Sequence, residues 1–183
     1  MRATLLAATA AVVVAVASTA ATAGTSPWSG FLAPPTACSH YTGARAADVR
    51  EMVCLVNWTR RHAGLRRLHW SSVLGRAAGA KAGIIASCGD FSHYACGTRW
   101  PAAATLQRQY DRWGENLYYG VRRVASPRAA LLAWLQSPEH RAILFGRVWR
   151  DVGVTVRSVP ALDGHADVRV WVLEVAGRSS LQS

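Results

Sequence analysis

The chain has 183 residues, 51% of them hydrophobic, with 21 Lys and Arg against 10 Asp and Glu and a formal net charge of +11. That length gives one domain with a real core and excludes two comfortable ones, while the basic excess favours acidic partners such as anionic envelope polymers or lipid headgroups. Nucleic acid is not an expected partner: arginines are spread along the whole domain, no block of five like charges occurs, and no recognition-helix or aromatic RNA-binding signature is present.

At the N-terminus, Arg2 precedes an uncharged apolar run from Leu5 to Ala17, and Ala21-Thr22-Ala23 offers the small-x-small pattern of a cleavage site. The run is shorter than the roughly 20 residues that span a bilayer. Residues 1–23 therefore read as a signal peptide, Gly24 as the mature start, and the protein as secreted. Residues 24–45 are rich in Pro, Ser, Thr and Ala and read as an extended tether rather than core.

From Ala46 to Ala63, Val49, Met52, Val53 and Val56 recur at helical spacing and Gly64 supplies a stop, which predicts an amphipathic helix. Asn57-Trp58-Thr59 matches a glycosylation sequon, but its mid-helix position favours a structural asparagine. Ser71 or Ser72 caps a second predicted helix with the face Leu74, Ala77, Ala78, Ile84 and Ile85, whose small residues permit close packing. Pro101 to Tyr110 is expected to form a short helix.

Ser126-Pro127 starts another helix through Trp134, and Ser137-Pro138 repeats the cap-and-proline device for a short helix to Leu144 or Phe145. Val152, Val154 and Val156 alternate with Gly153 and Thr155, and Val168 to Val175 is a β-rich run, so two strands joined by a turn near Asp163-Gly164 are predicted. Helices early, strands late and no repeating βαβ rhythm give an α+β class.

Four cysteines, Cys38, Cys54, Cys88 and Cys96, in an exported chain read as disulfides, and the absence of Cys-x-x-Cys removes the usual redox and zinc-ribbon spacings. Of the three possible pairings, Cys88–Cys96 would pin the loop carrying His93 and leave Cys38–Cys54 to tie the N-terminal segment to the first helix. Each bridge is worth about 2–4 kcal/mol.

Three short words carry the chemistry: Phe91-Ser92-His93, Gly114-Glu115-Asn116 and Ser137-Pro138-Glu139-His140-Arg141. His140 falls at the third helical position after the Ser137 cap, where the helix dipole disfavours imidazolium and keeps the ring ligand-competent. Two neutral imidazoles with one carboxylate can make an open site for a divalent metal such as zinc, or a His–Glu acid/base pair. They can equally serve only to tie loops to helices. No Gly-x-Ser-x-Gly or His-Glu-x-x-His is present, which leaves a nucleophilic hydrolase or a zincin unsupported.

Taken in order, Leu55-Val56-Asn57 with Arg60 or Arg61 and Gly64-Leu65, Phe91-Ser92-His93, Gly114-Glu115-Asn116, and Trp134 with Ser137-Pro138-x-His140-Arg141 and Ile143-Leu144 resemble the CAP superfamily of cysteine-rich secretory, antigen 5 and pathogenesis-related proteins, in the wording of its bacterial SCP-like members. The resemblance covers about Ala46 to Gly177, and residues 46–177 are taken as the domain with 178–183 as a tail. It implies a three-layer α-β-α sandwich with a central cleft lined by two histidines and two acidic residues, of which His93, Glu115 and His140 match three. Where the family's second acid follows its tryptophan by three residues, this chain has Ser137; Glu174, in the divergent strand word Trp171 to Gly177, is the candidate replacement. The functional expectation is a secreted, monomeric binding or effector module rather than an enzyme, its cleft taking a divalent metal through His93 and His140 or a small apolar ligand such as a lipid. The alternatives are a metal-dependent extracellular hydrolase and a charge-driven binder of anionic envelope surfaces.

Overall fold

The structure is a computed structural model that describes residues 26–39, 42–98 and 109–177. The signal segment 1–23, most of the helix expected from Pro101, and the tail 178–183 lie outside the described residues. In chain order the elements are α1 (Arg45–His62), β1 (His69–Trp70), α2 (Ser72–Cys88), β2 (Arg112–Val121), α3 (Pro127–Gln136), α4 (Pro138–Leu144), β3 (Asp151–Leu162) and β4 (His165–Gly177). The strands form one sheet in the order β1-β3-β4-β2, with β1 parallel to β3 and the other pairs antiparallel.

The sheet is filled on both faces, which the alternation of β4 makes explicit. Val168, Val170 and Val172 pack with Leu117 and Val159 against Ala78, Ala82 and Ile85 of α2. Trp171, Leu173 and Val175 face the other way, onto Met52, Leu55 and Val56 of α1 and Leu131, Trp134 and Leu135 of α3. The result is the expected α-β-α sandwich. A Cβ on Gly153 would overlap the backbone of Leu74 and Gly75, so a glycine there lets α2 lie directly on β3.

The caps behave as their side chains dictate. Ser71 Oγ accepts from Leu74 N at 3.3 Å and Ser126 Oγ accepts from Ala129 N at 3.2 Å. The β3–β4 hairpin turns through Asp163 and Gly164, both at positive φ (48° and 77°). Asn57 is buried, donating from Nδ2 to Leu68 O at 3.1 Å and accepting from Leu68 N at 2.7 Å. The sequon asparagine is therefore a structural clamp between α1 and the approach to β1.

Two expectations are corrected. The N-terminal segment is not a free tether: Ala33 and Cys38 are buried, and Trp28, Phe31 and Leu32 pack on the α1/α3 side of the core. Thr59 Oγ1 donates to Phe31 O at 2.9 Å, Arg128 Nη1 donates to Ala33 O at 2.6 Å, and the Arg141 guanidinium lies 4.3 Å over the Trp28 ring. A few aromatics and borrowed side-chain donors fix a strap that composition alone marks as loop. Residues 112–121, for which no strand was expected, form β2, paired with β4 along its whole length; Gly114 and Gly120 dilute its β signal.

Both expected disulfides are present, Cys38–Cys54 and Cys88–Cys96, with Cα separations of 5.7 and 5.8 Å. The first anchors the strap to α1. The second closes the loop after α2. No described helix is long and apolar enough to cross a membrane.

Candidate functional site

α2 ends at Gly89, whose left-handed conformation (φ 67°) turns the chain back. The loop that follows is closed by the Cys88–Cys96 bridge and by Cys96 N donating to Asp90 Oδ2 at 3.2 Å. Phe91 seats edge-on against Tyr119 of β2, with ring centroids 4.8 Å apart. These restraints bring His93 to β2, where its Nδ1 lies 2.6 Å from Glu115 Oε1. Glu115 is 10% exposed and His93 half exposed, so the pair stands at the boundary between core and solvent.

The word Gly114-Glu115-Asn116 works because a strand alternates its faces. Glu115 shares the α2 face with Leu117, while Asn116 points to the opposite layer and donates from Nδ2 to His140 O at 3.0 Å. Ser137 accepts from His140 N at 3.4 Å, and Trp134 donates from Nε1 to Leu117 O at 2.9 Å, pinning α3 to β2. β2 is the outer strand on that side of the sheet. The two words that carry His93 and His140 therefore meet around its edge, one from each helical layer.

His93 and His140 are close enough to interact electrostatically. Burial, then the charge of His93, hold the His140 imidazole below its ordinary value, against an opposing pull from Glu139. The ring is neutral at pH 7. Because the folded chain resists protonation here, the unfolded chain takes up a proton first as pH drops below about 6.5. The stability tied to neutral His140 is present above that pH and is lost as pH falls through the lower folded value. Urea unfolding between pH 7.5 and 5 is expected to show a smaller loss in His140→Gln than in wild type; an equal slope would contradict this assignment.

The cysteine-rich secretory protein family model, CAP, matches residues 53–174, more than half of the chain and all three words. The chain belongs to the CAP family. Among solved structures, this CAP domain is similar to an extracellular protein containing an SCP domain from Bacillus anthracis, at 21% identity and TM-score 0.58 over 73% of this chain and 41% of that one. It is also similar to an outer surface protein from Borrelia burgdorferi, at 18% identity and TM-score 0.60 over 72% and 93% of the two chains. A cysteine-rich secretory protein from Staphylococcus aureus gives 16% identity and TM-score 0.55 over 75% and 40%. The chain thus spans less than half the length of the first and third of these, and the likeness establishes the fold. No curated protein matches this sequence.

Ser137, at the place of the family's second acid, is occupied as the α4 cap. Glu174 is fully buried, directly across from Glu115 in the β2–β4 register and on the same α2 face. A residue outside the three words adds a cation on this face: Lys81, the chain's only lysine, is fully buried on α2. Its Nζ donates to His93 O at 2.5 Å and lies 3.9 Å from Glu115 Oε1. Its signal was legible, since a lysine sits amid the apolar face Ala77, Ala78, Ile84 and Ile85 where burial without a partner is unfavourable.

The donor set bears on metal binding. Among the described residues, no three His, Cys, Asp or Glu side chains form a group that could hold a metal. His93, Glu115 and His140 are therefore not a complete ligand set by themselves, and the contact shown among them is that of His93 Nδ1 with Glu115 Oε1. Bonding of a ligand histidine's other nitrogen to a carboxylate is the usual support for such a ring.

Proposed function

We propose that this CAP domain is a secreted binding module whose cleft holds a divalent transition metal, such as zinc, weakly through His93 and His140. The observation that carries the reading is the 2.6 Å His93 Nδ1–Glu115 Oε1 contact, which fixes the ring and leaves its Nε2 for a ligand. In addition, Glu115 Oε2 is buried without a hydrogen-bond partner among the described residues, an acceptor suited to a metal-bound water or a ligand proton. Two disulfides fit an oxidising compartment, and the similar bacterial proteins described as extracellular or outer-surface support export. Two protein ligands give modest affinity, and a bound ion would supply open positions for water or an anionic group.

Calorimetric zinc titration tests this reading. Binding is expected in wild type at pH 7.5, at least about tenfold weaker in His93→Ala and in His140→Ala, and weaker at lower pH because protons compete with the metal for imidazole nitrogen. Zinc binding unchanged in both variants would reject the site. Chelator-sensitive hydrolysis lost in Glu115→Gln would replace the binding module with a metal-dependent hydrolase.

A further inference from the structure

At the sheet edge opposite β2, β1 pairs with β3 only at Asp151 and Val152, so the outer side of β3 beyond Val152 has no strand neighbour among the described residues. A groove of about 700 Å³ runs there between the first turns of α1 and α2, within the size range of small-molecule sites. Arg45 from α1, Arg76 from α2 and Arg157 from β3 line it, and no Asp or Glu does. None of the three forms an ion pair among the described residues, whereas Arg169 is paired with Asp48 and Arg128 with Glu51. Arg45 is held in place, donating from Nη2 to Thr155 Oγ1 at 3.0 Å.

The wall of the groove is Trp70, 50% exposed and among the few large apolar side chains left in solvent. Its ring lies across the first turn of α2: a Cβ on Gly75 would come within 2.9 Å of it. The glycine leaves room for the six-membered ring of the indole to pack against the helix. An exposed indole face beside three unpaired guanidinium groups combines a stacking surface for a sugar ring with bidentate donors for anionic oxygens. The starts of α1 and α2 add positive potential to the same space.

We infer that this groove binds an anionic saccharide, a sugar chain carrying carboxylate or phosphate groups. The site is separate from His93 and His140, which do not line it, and does not depend on metal binding by them. Calorimetry of the full chain with oligogalacturonate and with a phosphomannan oligosaccharide distinguishes the two anions, with dextran as the neutral control and polyphosphate as the anion without a sugar. At least one charged saccharide is expected to bind and dextran is not. The triple variant Arg45→Gln, Arg76→Gln, Arg157→Gln should weaken that binding by about tenfold or more. A charge-matched triple at exposed positions elsewhere, Arg66→Gln, Arg67→Gln, Arg147→Gln, should change it less than about twofold. Trp70→Ala should weaken the saccharide by about fivefold and leave polyphosphate unchanged. Failure of both charged saccharides to bind, equal losses in the two triples, or equal losses of saccharide and polyphosphate in Trp70→Ala would each overturn the assignment.

Discussion

Arg60→Ala is expected to lower folding stability by about 4 kcal/mol, the upper range for a point substitution. The guanidinium is fully buried, donating from Nη1 to Leu144 O at 2.7 Å and Gly146 O at 3.1 Å, and from Nε to Arg66 O at 3.1 Å. One side chain thus ties α1 to the turn before β1 and to the carbonyls at the end of α4, the helix that carries His140. Burial pushes its pKa down to about 10, which leaves it charged at neutral pH. Truncation opens a cavity and strands three carbonyls that have lost a charged donor. Arg60→Lys keeps the charge without the planar fork and should fall between wild type and alanine. Chemical denaturation checks the order; an alanine variant within about 1 kcal/mol of wild type would contradict it.

Lys81→Met is expected to cost about 3–5 kcal/mol, because methionine keeps the length and apolar stem but leaves a buried carboxylate without its cation. Glu115 loses the Nζ partner at 3.9 Å, the His93 carbonyl loses a 2.5 Å donor, and Glu174 remains buried across the strand pair. The His93 loop should loosen as well as the core. Denaturation reads the first effect, and amide exchange across residues 90–96 reads the second. Stability within about 1 kcal/mol of wild type, with exchange unchanged, would show that Lys81 is not the counter-ion described here.

The parts of the fold legible in sequence were those written in local chemistry. Ser126-Pro127 and Ser137-Pro138 name their helix starts because a hydroxyl acceptor and a preset φ act within one turn. The Val152–Val156 alternation and the Asp163-Gly164 turn announce the β3–β4 hairpin in the same way. β2 was hidden because its pairing with β4 is non-local and two glycines interrupt its apolar pattern. The strap at residues 26–39 was hidden for a related reason: beyond the expected Cys38–Cys54 bridge, its order comes from Thr59 and Arg128, both distant in sequence. In the site, the ordered words gave His93, Glu115 and His140, and the structure brings His93 onto Glu115 and His140 within electrostatic reach of His93. Lys81 was missed because attention to histidines and carboxylates passes over a cation, although its place on the buried face of α2 marked it.

His93 and His140, and not the chain's other histidines, are expected to take the metal. Long-range ¹⁵N–¹H correlation spectra of the histidine rings, recorded as zinc is added at pH 7.5, test it most directly. With His93 Nδ1 engaged by Glu115, His93 should shift at Nε2, one His140 ring nitrogen should shift with it, and both changes should vanish on chelation. Zinc-dependent shifts confined to His40, His62, His69 or His165, or a His93 shift at Nδ1 instead of Nε2, would contradict it.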